Sequence, residues 1–228
     1  MASRFFACGS LVPYVTSDVV IASQAFVNPL WGSRALELLQ QDIPFCDVLS
    51  ILKKDDLARE ARQFHGISKT GEIVQHTGSE CVDWAGHMKG ENVSVAGNML
   101  AGPEVIEATL NTWNANPDVP FAERLIRAME AGEAAGGDKR GKQAAAMKIF
   151  RGQPYPDLDL RVDDHADPLR EIRRLMLVAD ERYTIFKTAM PTTENFSGMT
   201  DRRPLDQAIA TAEEERRKNG YVSVSHAT

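Results

Sequence analysis

The sequence predicts an α+β protein with two sheets lying between helical layers. Three observations carry that expectation. Strands and helices come in blocks rather than in strict βαβ alternation, a tight-turn hairpin signature occupies residues 62–77, and amphipathic helices follow strands in both halves of the chain.

Taken in order, Ala2–Cys8 reads as a strand and Val19–Ala25 as a second, almost wholly apolar one. Asn28, Pro29 and Gly32 lead into an amphipathic helix carrying Leu36, Leu38 and Leu39. Helical periodicity over Glu37–Lys53 breaks at Asp42-Ile43-Pro44, which predicts two short helices joined by a turn. Lys69-Thr70-Gly71 turns a hairpin between residues 62–68 and 71–77. Asn92–Asn98 is another strand. A helix follows, opened by Pro103 with Glu104 at its positive end, and Val105, Ile106, Leu110 and Trp113 share one face. Pro120 opens a third helical stretch with Phe121, Leu125, Ala128 and Met129 on its buried stripe.

After a glycine-rich loop at 136–141 come two last strands, Gln143–Phe150 and Leu158–Val162. Ala2–Cys8, Val19–Gln24 and Gln143–Phe150 are expected to be central and buried on one face. Asp167-Pro168 caps a long helix through Leu169, Ile172, Met176 and Ala179. Residues 191–203 read as a linker, and Pro204–Lys218 as a weakly amphipathic helix stopped by Gly220. The expected organisation is one domain over 1–189 and a tail over 190–228.

At 228 residues the chain is long enough for a substantial core. Its hydrophobic fraction of 43% and charged fraction of 25% are ordinary globular values, and the formal charge of -6 argues against a nucleic-acid partner. Three cysteines without a CxxC pair, Cys8, Cys46 and Cys81, fit a reducing compartment. Cys8 and Cys46 lie in apolar periodic segments and are expected buried, with Cys81 partly exposed in a polar loop. Gly9, Ser10, Pro13 and Asp18 interrupt any secretory signal, and no apolar run approaches a membrane span. The reading is a cytoplasmic protein that engages no membrane.

Several residues carry possible chemistry. Asn98, after Gly97, offers a donor and an acceptor to a substrate amide, or simply makes a turn. In the loop Asp138-Lys139-Arg140, Arg140 can clamp a carboxylate, or Asp138 can hold it for structural reasons. His76, Cys81 and His87 lack a standard zinc spacing, and a metal is not expected. Asp163-Asp164-His165 combines carboxylates with an imidazole at what reads as a strand end.

The ordered segments Ala2-Ser3-Arg4-Phe5-Phe6-Ala7, Ala22-Ser23-Gln24-Ala25, His76-Thr77-Gly78, Gly86-His87, 97–104, 136–143 and 160–165 resemble an uncharacterised bacterial Ntn-hydrolase-like family, domain of unknown function 1028. The resemblance covers roughly residues 2 to 178 and implies a four-layer αββα sandwich of Ntn-hydrolase type, here with an appended C-terminal helix. It also implies that the turn at Gln24 and Ala25 donates a backbone N–H to an oxyanion; the alternative is a plain strand end. Ser3, Asp138 and His76 are support residues by the same resemblance. No cofactor is implied.

In that superfamily the nucleophile is an N-terminal Thr, Ser or Cys whose own α-amine is the base. Relatives are expected to begin one short strand earlier, with a segment of Thr-Phe-Ser type. Removal of Met1 would leave Ala2, which has no nucleophile, and Ser3 has an amide rather than an amine nitrogen. Two functions therefore stand: an Ntn-type hydrolase of a small amide or peptide bond whose nucleophile is absent from this chain, or a non-catalytic module that binds or assembles. A homodimer is expected, with the stripe Leu205, Ile209 and Ala212 and the alternating Tyr221–Ser225 packing across the partner.

Overall fold

The structure is a computed structural model and describes residues 1–227. Every strand pair in it is antiparallel. A four-stranded sheet has the order β2 (Pro13–Val15), β3 (Val19–Ala25), β4 (Arg62–Ser68), β5 (Ile73–Thr77). A three-stranded sheet has the order β1 (Ala2–Ser3), β8 (Ala144–Phe150), β9 (Pro156–Val162). A two-stranded ribbon joins β6 (Gly86–Gly90) to β7 (Val93–Gly97).

The first expected strand is mostly not a strand. Only Ala2 and Ser3 pair, with Ala145 and Ala144, and they lie at the edge of their sheet rather than its centre. The chain then turns through Ala7, whose φ is 53°, into the one-turn helix α1 (Cys8–Leu11). The reason is local. Asp138 accepts the Arg4 N–H and ends the ladder, and Gly9 lies so close to Ala146 and Arg161 that a side chain there would collide with both. Val19–Ala25 and Ala144–Phe150 do occupy central positions. The ribbon strand β6 has no alternation in His87-Met88-Lys89 and left no pattern to read.

Two helical covers define two cores. The helices α2 (Pro29–Gln40) and α3 (Phe45–Asp55) lie on one face of the four-stranded sheet, where Val19, Ile21, Phe64 and Val74 meet Trp31, Ala35, Leu38, Phe45, Val48 and Leu52. Asn28 caps α2 by accepting the Leu30 N–H, with Pro29 at the first helical position. On the three-stranded sheet, Ala145, Met147, Ile149 and Val162 pack with Ile126, Leu169 and Ile172 from α5 (Phe121–Ala134) and α6 (Pro168–Glu181). The helix α4 (Glu104–Ala115) covers the ribbon and packs along α5. Phe121, expected on the buried stripe of α5, is half exposed and sets its edge against Trp113 at 5.7 Å; Ile126 and Gly132 face inward instead.

The short helix α7 (Tyr183–Phe186) leads by way of residues 187–202 to α8 (Arg203–Lys218), which buries Leu205 and Ile209. Residues 221–227 form no strand. Glu181 of the same chain collects Tyr221, Ser223 and the Val224 N–H, and Arg174 donates to the Val224 carbonyl. No helix among the described residues is long and apolar enough to cross a membrane.

Candidate functional site

The face of the four-stranded sheet opposite α2 and α3 opens on a cavity of about 460 Å³. Its walls come from β1, β2, β3, β4, β7, the middle of β8, and the inner faces of α4 and α5. Consecutive residues line it from β7 (93–98) and from β8 (145–148). Of these two strands β7 pairs with β6 alone, so its other edge carries no strand partner, whereas β8 is flanked by β1 and β9.

Six of the seven residues singled out in the sequence line this one cavity: Ser3, Gln24, Ala25, Asn98, Asp138 and Arg140. His76 does not. It is buried under α2, stacked at 6.0 Å from Trp31, and it donates Nε2–H to the Arg59 carbonyl at 3.0 Å. Its place on β5 puts it on the opposite face of the sheet, beside Val74, so its role is packing.

Gln24 and Asn98 meet on Gln63, a fully buried residue that the sequence reading passed over. The Gln63 Oε1 accepts Gln24 Nε2 at 2.7 Å and Asn98 Nδ2 at 3.3 Å. Its Nε2 donates to Thr77 Oγ1 and to the carbonyls of Gly97 and Gly86 at 2.8–3.0 Å, which fastens the ribbon to the sheet. Gln24 and Asn98 are thereby held in place with a carbonyl oxygen and a second N–H each to offer. The available signal was the apolar strand β3 ending in a glutamine that pairs, residue for residue, with Gln63.

Two residues beside these carboxamides are in the left-handed region, Ala25 at the end of β3 with φ 70° and Met99 two residues past β7 with φ 54°. Such a conformation costs a non-glycine residue on the order of 1–3 kcal/mol and concentrates at functional sites. Ser23 donates its N–H to Val12 on the β2 side and Phe26 donates to Ala61 on the β4 side. By alternation the Ala25 N–H faces the β2 side, where the ladder has already ended in α1.

A buried hub fixes that turn from behind. Asp56 accepts from Asn28, Trp31 Nε1 at 2.8 Å, the Ala58 N–H and Arg62, and Arg62 also donates to the Phe26 carbonyl. Burial works to raise the Asp56 pKa, but the Arg62, Asn28 and Ala58 donors outweigh it and take the carboxyl to about 2.

Asp138 is the knot at the cavity mouth. It accepts both arms of the Arg140 guanidinium at 2.9 and 2.6 Å, the N–H groups of Arg140 and Arg4, and the Ser3 hydroxyl at 3.4 Å. Burial opposes ionisation there, and the Arg140 and Arg4 donors reverse that and lower its pKa. Arg140 is thus held by Asp138, and Ser3 is a tie between β1 and the loop.

The sequence reading also missed His65 and Ser94, which line the cavity with Nδ1 and Oγ 2.8 Å apart. Burial, with His87 and the α-amine of Met1 adding in the same direction, lowers the His65 pKa to about 4. The remaining clusters are not brought together. Cys81 Sγ donates to the Arg62 carbonyl, and His87 Nδ1 shares a hydrogen bond with Thr77 Oγ1. Asp163 pairs with Arg161, Asp164 accepts from Gln143, and His165 Nδ1 accepts the Asp167 N–H. No group of three or more His, Cys, Asp or Glu among the described residues is placed to hold a metal ion. Cys46, expected buried, is exposed in the first turn of α3 because Phe45 and Val48 take the inward positions.

An α+β protein of antiparallel sheets, with Gln24, His65, Asn98, Asp138 and Arg140 lining one inter-element cavity, is the class these features define. The chain belongs to the Family of unknown function (DUF1028), whose model matches residues 1–172. It is similar in structure to protein SPO2555 from Silicibacter pomeroyi, a crystal structure from the same family, with a TM-score of 0.80, 26% sequence identity and 88% of each chain covered. A search of curated proteins finds no match.

Proposed function

We propose that the fold is the four-layer αββα sandwich of Ntn-hydrolase type and that the cavity binds a small amide or short peptide. One observation carries the reading: Gln24 and Asn98, locked on Gln63, stand beside the left-handed residues Ala25 and Met99 in a cavity lined by β7, a strand with one unpaired edge. A carboxamide donates and accepts at once, which matches an amide ligand, and a strand edge offers the same pattern from the backbone. The helical covers outside each sheet support the four-layer reading.

A non-catalytic binding module is the form of this function that the geometry favours. Ser3 is tied to a carboxylate held ionised by Arg140, and burial raises the pKa of the Cys8 thiol. Ser94 faces an imidazole of pKa about 4, a weak base at neutral pH. The second reading, an Ntn-type amide hydrolase, is favoured by the Ala25 N–H, since an oxyanion donor of this kind contributes roughly 3 kcal/mol to a transition state. A homodimer with tails packed across the partner would add to the contacts that Tyr221, Ser223 and Val224 already make with Glu181 of their own chain; Phe5, Phe6, Phe26 and Val222 are exposed.

Titration of the protein with an N-acetyl dipeptide amide, followed by side-chain amide NMR, tests the reading. Saturable shifts at Gln24 and Asn98, with affinity lowered about tenfold by Asn98→Ala, are expected. Binding that Gln24→Ala and Asn98→Ala leave unchanged would overturn it. Turnover of the probe abolished by filling the cavity would move the conclusion to the hydrolase.

A further inference from the structure

We propose that His65 is locked as its Nε2–H tautomer and presents that N–H to the cavity as the donor for a second carbonyl of an extended, dipeptide-like ligand. The inference rests on the amide-binding reading above and names the ligand's length.

The lock follows from counting protons. Gln75 Nε2 has two, and they go to the Met88 carbonyl at 2.8 Å and to Ser94 Oγ at 2.9 Å. Ser94 Oγ therefore accepts from Gln75, and its own proton goes to its other partner, His65 Nδ1 at 2.8 Å. The reverse tautomer would leave Ser94 accepting twice with no acceptor for its hydroxyl proton. With Nδ1 accepting, the ring proton sits on Nε2.

Nε2 is not sealed in the core. Among the described residues no buried side-chain nitrogen or oxygen lacks a partner, and Nε2 has no protein partner, so it reaches open space. His65 lines the cavity, and that is the space it reaches. The titratable groups facing the ring are His87 on β6 and the α-amine of Met1, both cationic when protonated and both acting against an imidazolium. The ring is neutral in the physiological range, and a neutral N–H donor suits an uncharged carbonyl.

Spacing supplies the ligand. His65 and Gln63 stand two residues apart on one strand and one face, about 7 Å in an extended chain. Carbonyls two residues apart in an extended peptide repeat at that same interval and point the same way. A ligand with one carbonyl at the Gln63-anchored carboxamides therefore places its next same-side carbonyl at His65. The class is an uncharged, extended, doubly blocked dipeptide.

The test uses the full chain labelled with ¹⁵N-histidine and long-range imidazole NMR, with N-acetyl-divaline amide as probe. His65 is expected to show a proton on Nε2 alone from about pH 5 to about pH 8, and Ser94→Ala is expected to release a tautomer mixture. A proton on Nδ1, or titration near the ordinary histidine value, overturns the lock. The probe is expected to shift the Nε2 signal saturably, His65→Phe to weaken it at least about tenfold, and His65→Gln, which keeps an N–H donor, to retain affinity within a few fold. Shifts at Gln24 and Asn98 without one at Nε2 overturn the role of His65 and leave the amide-binding reading standing. Shifts nowhere in the cavity overturn that reading, and the His65 role with it.

Discussion

His65 and His76 sit on neighbouring strands of one sheet and face opposite ways. His76 pairs in register with Phe64 and His65 with Gln75, so the alternation of β4 and β5 sends one imidazole under the helices and the other to the cavity. His76 has its proton on a backbone carbonyl and its ring on Trp31. His65 has one nitrogen fixed and the other open. The two faces of the sheet teach the same thing at larger scale. One is a closed, largely apolar core whose polar side chains Ser23 and His76 bond backbone carbonyls. The other carries Gln24 and His65 on an open cavity.

The sharpest way to break that contrast is truncation on both faces. Phe64→Ala on the closed face is expected to cost about 3–5 kcal/mol, because a fully buried ring is replaced by a cavity. Gln24→Ala on the open face is expected to cost less than about 1 kcal/mol, since Gln63 keeps Asn98 and the ribbon carbonyls as partners. Urea unfolding measures both. Equal losses would show the cavity face to be as closed as the other.

Much of the closed face was legible in the sequence. The apolar run in Val19–Ala25, the broken helical period at Pro44 and the Lys69–Gly71 turn each match an observed element. Most of the cavity face was legible only as scattered polar residues. Gln24, Asn98, Asp138 and Arg140 carried motif signals, but Gln63 and His65 lie in a strand whose burial is nearly continuous, and Gln75 and Ser94 matter only through pairings that register alone determines. His76 lies in the segment His76-Thr77-Gly78, and no local pattern distinguishes it from His65. The face a histidine takes depends on where its strand meets the sheet.

The two faces also differ in how acid reaches them. In the unfolded chain His65 takes up a proton near pH 6.5, and in the fold not until about 4. Between those values the unfolded state binds more protons, so stability falls as pH drops, by about 3 kcal/mol in full. The lowered pKa of His87 adds to the same limb. Asp56, at about 2 against 3.8, contributes stability that is present above 3.8 and is lost below it, about 2 kcal/mol in full. Denaturation at a series of pH values should show both limbs. His65→Gln should flatten the upper one and spare the lower; an unchanged upper limb would mean that His65 is solvated.

Added volume gives a smaller effect of opposite character. Ala35 is fully buried between α2 and its sheet, and Ala35→Leu is expected to cost about 1–3 kcal/mol by overpacking. Ala22 borders the cavity, and Ala22→Leu is expected to change stability by less than about 1 kcal/mol while weakening the dipeptide probe. Thermal melts with and without the probe separate the two. A destabilising Ala22→Leu would mean that the cavity wall is as tightly packed as the core.

The finest probe of the contrast is thiol reactivity, because the three cysteines sample three environments. Cys46 is exposed; partial desolvation, Asp47 and Glu72 hold its thiol pKa up, which slows it but does not shield it. Cys81 is half buried and its thiol is engaged with the Arg62 carbonyl at 3.3 Å. Cys8 is 1% exposed, its pKa is raised by burial, and it lines the cavity. All three thiol pKa values are raised, so access sets the order, and a thiol reagent followed by mass spectrometry should modify Cys46 first, Cys81 next and Cys8 last. Cys8 alone borders the cavity, so the dipeptide probe should slow its modification and leave the other two unchanged. If the probe slows all three alike, it is stabilising the fold as a whole rather than occupying the space between the sheets.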